Sequence, residues 1–324
     1  MVRQWKRVWE ARKWMKQNEG FLPTWHAYLG YRLNFFDELQ QNGTVGAHVK
    51  DRELLENWVQ TGLILGHLKK KGDKIYPSSQ MKQYFSKSSD VAIGDLLVEL
   101  MELHIPSLMD YAPVLKGETP RRTFDGDEHG TAVATTSSFI EQISYRAVKK
   151  VVSEIGCETI LDIGCGNAGY IRRLAEEFPH KEFVGIDLNK AVVEDAKRNT
   201  KDLSNVRIEQ QDLREWDNEG KTFKCIMMHN LLHYFSPVER MELMKNIESL
   251  LDKDGGISLI TPLYLSEHGQ EFSAAFNNFL SVHENLHRLP TAEDVEVLAA
   301  AIGRKVTSLK PIVKEGGWYS IVIK

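Results

Sequence analysis

Asp162, Asp187, Asp212 and His229 each stand at or just beyond the end of a short apolar run, and glycines at 164, 166 and 169 follow the first. A carboxylate so placed can accept hydrogen bonds from ribose hydroxyls. Glycines let the backbone turn tightly and approach a ligand closely, and the first turn of a helix behind them offers unpaired N–H groups. These groups suit an adenosine-bearing cofactor. The spacing Gly164-x-Gly166-x-x-Gly169 also fits a dinucleotide, whose pyrophosphate sits on the helix N-terminus. Asp162 shifts the balance, because it would repel a pyrophosphate but could hold the cationic end of a sulfonium amino acid. Two further pairs, His229/His233 and His283/His287, have the spacing of metal ligands on one helical face.

The elements that must position these groups are legible around them. Thr159 to Leu161, Phe183 to Ile186, Val206 to Glu209, Phe223 to Met228 and Ile257 to Thr261 read as strands. Between them, Tyr170 to Phe178, Ala191 to Lys197 and Val238 to Leu251 read as helices, the last capped by Ser236. Lys253-Asp254-Gly255-Gly256 reads as the turn before the fifth strand, and 264–290 as a lid over the substrate. Thr291 caps a helix from Ala292 to Ile302, and Lys305 to Val313 pairs with Trp318 to Ile323 as an antiparallel hairpin. Alternating β and α units predict an α/β, doubly wound parallel sheet that binds ligands beyond its carboxyl strand ends.

The front of the chain is mainly helical. Residues 1–40 suit helices with a break from Gly20 to Pro23. Leu54 to Val59 suits a helix ended by Gly62, followed by the apolar run Leu63-Ile64-Leu65, a charged turn Lys69 to Asp73 and a short strand at Ile75-Tyr76. That is a winged-helix outline. It suits DNA binding through a basic wing, or a small domain for dimerisation and substrate enclosure; no arginine or asparagine cluster is present to read bases. Val91 to Leu103 suits a helix, 124–138 a small polar linker, and Phe139 to Val152 a helix into the first strand. The expected domains are therefore 1–140 and 141–324.

The 324 residues carry 42% hydrophobic and 27% charged residues and a net charge of −4, which suits two soluble domains and argues against generic polyanion binding. Cys157, Cys165 and Cys225 form no C-x-x-C pair, so a reducing cytoplasm is expected. No apolar run approaches the roughly 18 residues of a membrane span. The basic N-terminus, with Trp5, Trp9 and Trp14, suits a helix docking on a neighbouring subunit or domain better than one on a membrane surface.

Leu161-Asp162-Ile163-Gly164-Cys165-Gly166-Asn167-Ala168-Gly169 resembles motif I of class I S-adenosylmethionine (SAM)-dependent methyltransferases, and Val184 to Asp187 resembles their acidic loop. The resemblance implies a Rossmann-like seven-stranded sheet. Asp162, Gly164 and Gly166 would then contact the methionine part of SAM. Asp187 with Leu188 would take the ribose, Asp212 with Leu213 the adenine, and His229 the wall near the methyl group. With its winged-helix-like front end, the whole chain is similar to small-molecule O-methyltransferases that dimerise through the N-terminal domain. Leu231-Leu232-His233-Tyr234-Phe235 stands where that group has Val-Leu-His-Asp-Trp, which maps the catalytic base onto His233, with Tyr234 replacing the aspartate. The expectation is methyl transfer to the hydroxyl of a small molecule by a homodimer, with nucleic acid and membrane not expected as partners and no resident metal. An alternative within the class is C-methylation of a 2-oxo acid using a histidine-held metal, with Glu284 standing in for the missing aspartate ligand. Outside it, the chain would be a cofactor-sensing DNA-binding regulator or a non-catalytic partner subunit.

Overall fold

The computed structural model describes residues 2–17, 19–216 and 220–324, and the chain divides into two compact units, Met1–Pro106 and Ser107–Lys324. The division falls at 106/107 rather than at 140. Residues 124–138 are not a linker, because a helix, α1, runs unbroken over Gly126–Glu154.

In the first unit, helices Phe21–Arg32, Phe35–Asn42 and Arg52–Ile64 pack around Phe36, Leu39, Trp58 and Met81. Gly62 does not end its helix, which continues to Ile64. Its lack of a Cβ instead makes room for Leu68 and His26, whose atoms would lie 2.7 and 2.6 Å from one. The apolar run Leu63-Ile64-Leu65 thus closes the helix, and the lysines are not in the turn: Lys69 to Lys71 lie in the strand Leu68–Lys71, which pairs antiparallel with Lys74–Pro77 across Gly72-Asp73. Trp9 and Met15 are exposed, while the side chains of Trp5 and Trp14 lie outside the described residues.

The second unit is built on strands β1 (Thr159–Ile163), β2 (Glu182–Asp187), β3 (Val206–Gln210), β4 (Phe223–His229), β5 (Leu251–Pro262), β6 (Val306–Val313) and β7 (Trp318–Ile323). Their order is β3-β2-β1-β4-β5-β7-β6, parallel through β5 and antiparallel at β7 and β6. Helices α2 (Gly169–Glu177), α3 (Lys190–Thr200), α4 (Pro237–Leu250), α5 (Gln270–Ser281) and α6 (Ala292–Ala301) complete the α/β architecture. Strand residues alternate between two cores. Ile160, Cys225 and Met227 join α1, α2 and α3, whereas Leu161, Ile226 and Met228 join α4 and α6. Each such side chain, fully buried, contributes about 1.5–3 kcal/mol of transfer free energy.

Capping boxes start α4 at Ser236/Glu239 and α6 at Thr291/Asp294. The turn expected at Lys253 to Gly256 is absent, because β5 runs through it. Gly256 pairs with Cys225 past an irregularity in the register, and a Cβ on it would come 3.2 Å from the Ile323 carbonyl oxygen. No helix among the described residues is long and apolar enough to cross a membrane.

Candidate cofactor and active site

The strand order reverses between β1 and β4, which opens a crevice at their carboxyl ends. The turn after β1 fills its floor. Gly164 and Gly166 have φ of 69° and 56°, a left-handed conformation that side-chain-bearing residues resist. The N–H groups of Gly164 and Cys165 both donate to the Ile186 carbonyl, at 2.8 and 3.0 Å. The Gly166 N–H donates to Asp187 Oδ2 at 3.0 Å and the Asn189 N–H to Asp187 Oδ1 at 2.9 Å. Local sequence thus makes the turn, while the neighbouring strand locks it.

A cavity of about 1190 Å³ lies over this floor, and Asp162, Gly164, Gly166, Asp187, Leu188, Asp212, Leu213 and His229 all line it. Asp162 is buried, and no hydrogen bond from the described residues reaches its carboxylate. Burial, then the negative charges of Glu141 and Asp187, push its carboxyl well above the usual range. Asp212 is held below its usual range by Arg214, whose Nε donates to both carboxylate oxygens and whose Nη2 donates to Oδ2 at 2.6 Å. His229 rests edge-on against Tyr170, with centroids 4.5 Å apart, and its Nε2 lies 3.3 Å from Ser258 Oγ. Its Nδ1 has no hydrogen-bond partner among the described residues, and burial pulls the ring down to about 3.

Residues that sequence reasoning missed also line the cavity: Phe124, Glu141, Tyr170, Asn230 and Arg214. Asn230 has φ of 54° and accepts the Trp318 Nε1 hydrogen at 2.8 Å. Because an indole only donates, this contact orients the amide with its oxygen toward Trp318. Phe124 is delivered by a strap. Arg122 N–H donates to Val282 O, Glu284 N–H to Arg122 O, and the Phe124 backbone exchanges two 2.8 Å bonds with the Asn285 amide. Only Arg214 had a signal nearby, a cation two residues beyond an acidic strand end.

His233 is placed differently from the other candidates. It sits on a 3₁₀ turn, Leu232–Tyr234, buried against Tyr234 and Phe276, and it is absent from the cavity wall, which Tyr234 lines instead. Burial, then the nearby Arg240, pull it to about 3, and its Nδ1 has no hydrogen-bond partner among the described residues. The i, i+4 histidine faces do not form. His229 ends β4, and left-handed Asn230 turns the chain before His233. His283 Nδ1 lies 2.9 Å from the Phe279 carbonyl, to which it donates, and Glu284 accepts a hydrogen bond from Thr123 Oγ1. Among the described residues no group of three or more His, Cys, Asp or Glu is placed to hold a metal. The expected lid contains α5, whose Phe272 meets Trp318 at 4.8 Å and whose Phe276 stacks on Phe279 at 5.8 Å.

Residues 160–255 match the family model described as a methyltransferase domain. An uncharacterized protein of Rickettsia prowazekii is 29% identical over 98 residues, 30% of this chain and 39% of that protein. Malonyl-[acyl-carrier protein] O-methyltransferase 1 of Ilyobacter polytropus is 28% identical over 102 residues, 32% of this chain and 37% of that protein. The chain thus spans roughly two fifths of the length of these two relatives. Among solved structures, an O-methyltransferase family protein from Burkholderia thailandensis superposes with a TM-score of 0.80 at 19% identity, covering 97% of each chain. Human N-acetylserotonin methyltransferase in complex with SAM superposes with a TM-score of 0.75 at 14% identity, again covering 97% of each. The fold is therefore the class I, Rossmann-like methyltransferase fold with a helical N-terminal region.

Proposed function

We propose that this methyltransferase domain binds SAM along the carboxyl ends of its parallel strands and transfers the methyl group to a small molecule. The observation that supports it is the convergence of Asp162, Asp187, Asp212 and His229 on one cavity. Asp187 takes the ribose hydroxyls with Leu188 beside it, and Asp212 with Leu213 takes the adenine edge. Asp162, Gly164 and Gly166 receive the amino-acid end, and His229 forms the wall near the methyl group. SAM supplies an already activated methyl group. The chain's own task is to bind, align and keep water out.

The acceptor group is a hydroxyl, and the base that the motif resemblance supports is His233, a role that requires its ring to come out from behind Tyr234 to the cavity. A histidine pulled to about 3 is uncharged at neutral pH and free to accept a proton, but it is a weak base. That observation favours an acidic hydroxyl, such as a phenol or enol, over an aliphatic alcohol. It also supports a second reading, in which the acceptor is already an anion and only alignment is required. The protein acts in the cytoplasm as a homodimer through its N-terminal unit.

The test is SAM carrying a labelled methyl group, incubated with the protein and a fractionated extract of its host. Label in small organic molecules is the expected result. Label in RNA, DNA or protein would move the acceptor class. No transfer with SAM still bound would leave the silent-subunit reading, or the regulator reading if duplex DNA binds in a salt-dependent way.

A further inference from the structure

Glu141 belongs to none of the sequence motifs, yet α1 carries it to the cavity beside the glycine turn. Its carboxylate occupies the space that a Cβ on Gly169 would fill, at the start of α2. Asp162 lines the same cavity from the end of β1, and it is 2% exposed with no hydrogen bond among the described residues. His229 lines the same cavity, and its buried Nδ1 has no hydrogen-bond partner among the described residues. The charges facing the two carboxylates are Arg172 and Arg173 from α2 and Asp187 from β2, with neutral Tyr170 and His229 beside them. Arg173 lies 3.7 Å from Glu141 Oε1, but its guanidinium is spread over the Tyr145 ring at 3.6 Å. This end of the cavity is short of positive charge.

We propose that Glu141 and Asp162, which line one end of the cavity beside Gly169, together form the receptor for the cationic amino-acid end of SAM. This rests on the SAM reading and adds Glu141 to it. Proton release on binding is the consequence the experiment reads. Burial raises both carboxyls; the Glu141 and Asp187 anions raise Asp162 further, while Arg173 and Arg172 offset part of the rise at Glu141. A bound cation stabilises the ionised forms and reverses the effect. The proton passes to solvent, so the balance needs no further reactant.

The experiment is calorimetric titration near pH 7 in two buffers of different ionisation enthalpy, using SAM and methylthioadenosine, which lacks the amino-acid end and the sulfonium charge. Wild-type protein should release up to about one proton with SAM and none with methylthioadenosine. Glu141→Gln should retain methylthioadenosine affinity, which shows that the site is folded. It should lose about tenfold or more in SAM affinity and release fewer protons. Equal SAM affinity and equal release in the variant would overturn the role of Glu141. Absence of any release in wild-type protein would overturn the paired receptor, whatever the variant does. If wild-type protein bound neither adenosyl compound, the SAM reading would fall with it.

Discussion

The carboxylate of Asp187 at the tip of β2 accepts the N–H of Gly166, in the turn after β1, at 3.0 Å. With its other oxygen it holds the Asn189 N–H at 2.9 Å, so one side chain joins the glycine turn to the start of α3. Asp187→Ala should therefore weaken S-adenosylhomocysteine binding by about 1–3 kcal/mol and lower the thermal midpoint as well. Calorimetric titration alongside a thermal melt checks both. Unchanged affinity would remove Asp187 from the cofactor site.

Arg214 should matter less. Its side chain is 62% exposed, and exposed ion pairs contribute about 0–1 kcal/mol because water and salt screen them. Arg214→Ala is expected to weaken cofactor binding by under about 1 kcal/mol, with the difference shrinking as salt rises. A loss larger than that of Asp187→Ala would mean that Arg214 contacts the ligand itself.

His233→Gln should lower kcat by about a hundredfold or more with the hydroxyl acceptor if the ring removes its proton. Because burial and Arg240 pull the ring to about 3, the pH–rate profile of the wild-type enzyme should show no acid limb from His233 near 6.5. A variant with wild-type kcat would leave the second reading, an acceptor that arrives as an anion.

The first unit carries its own pH dependence. His26 Nε2 lies 3.1 Å from the Trp58 carbonyl, which only accepts, so Nε2 holds the hydrogen and Nδ1 is bare. His67 Nδ1, 3.0 Å away, then donates to it. Burial, then His67, pull His26 down to about 4, and burial lowers His67 too. Between about pH 6.5 and 4 the unfolded chain therefore binds more protons than the folded one. Stability from this pair is complete above 6.5 and falls with acidification toward 4; His229 and His233 act in the same direction. Urea midpoints at pH 7 and pH 5, with a proton NMR titration of the His26 ring, test this. A His26 resonance titrating near 6.5 would contradict it.

Much of the second unit was legible because its signals are local. Apolar runs ending in Asp162, Asp187 and His229 are strands in the structure, and the two hydroxyl caps, Ser236 and Thr291, begin the helices they were expected to begin. The errors came where distant contacts outvote local chemistry. Lys253 to Gly256 has turn composition, but β4 and β7 supply partners that extend β5 through it. Gly62 looks like a helix end, yet it serves the close approach of Leu68 and His26.

The sequence by itself determined the order of strands and helices and which acidic residues stand at strand ends, since periodicity, caps and glycine turns act over a few residues. Only the tertiary structure decided which side chains share the cavity. Glu141 reaches it because α1 packs beside α2, Phe124 because Asn285 straps it there, and Arg214 because its guanidinium folds back onto Asp212. His233 is kept off the wall by the same kind of cause: left-handed Asn230, tied to Trp318, turns the chain so that Tyr234 lines the cavity and the imidazole packs behind it against Phe276.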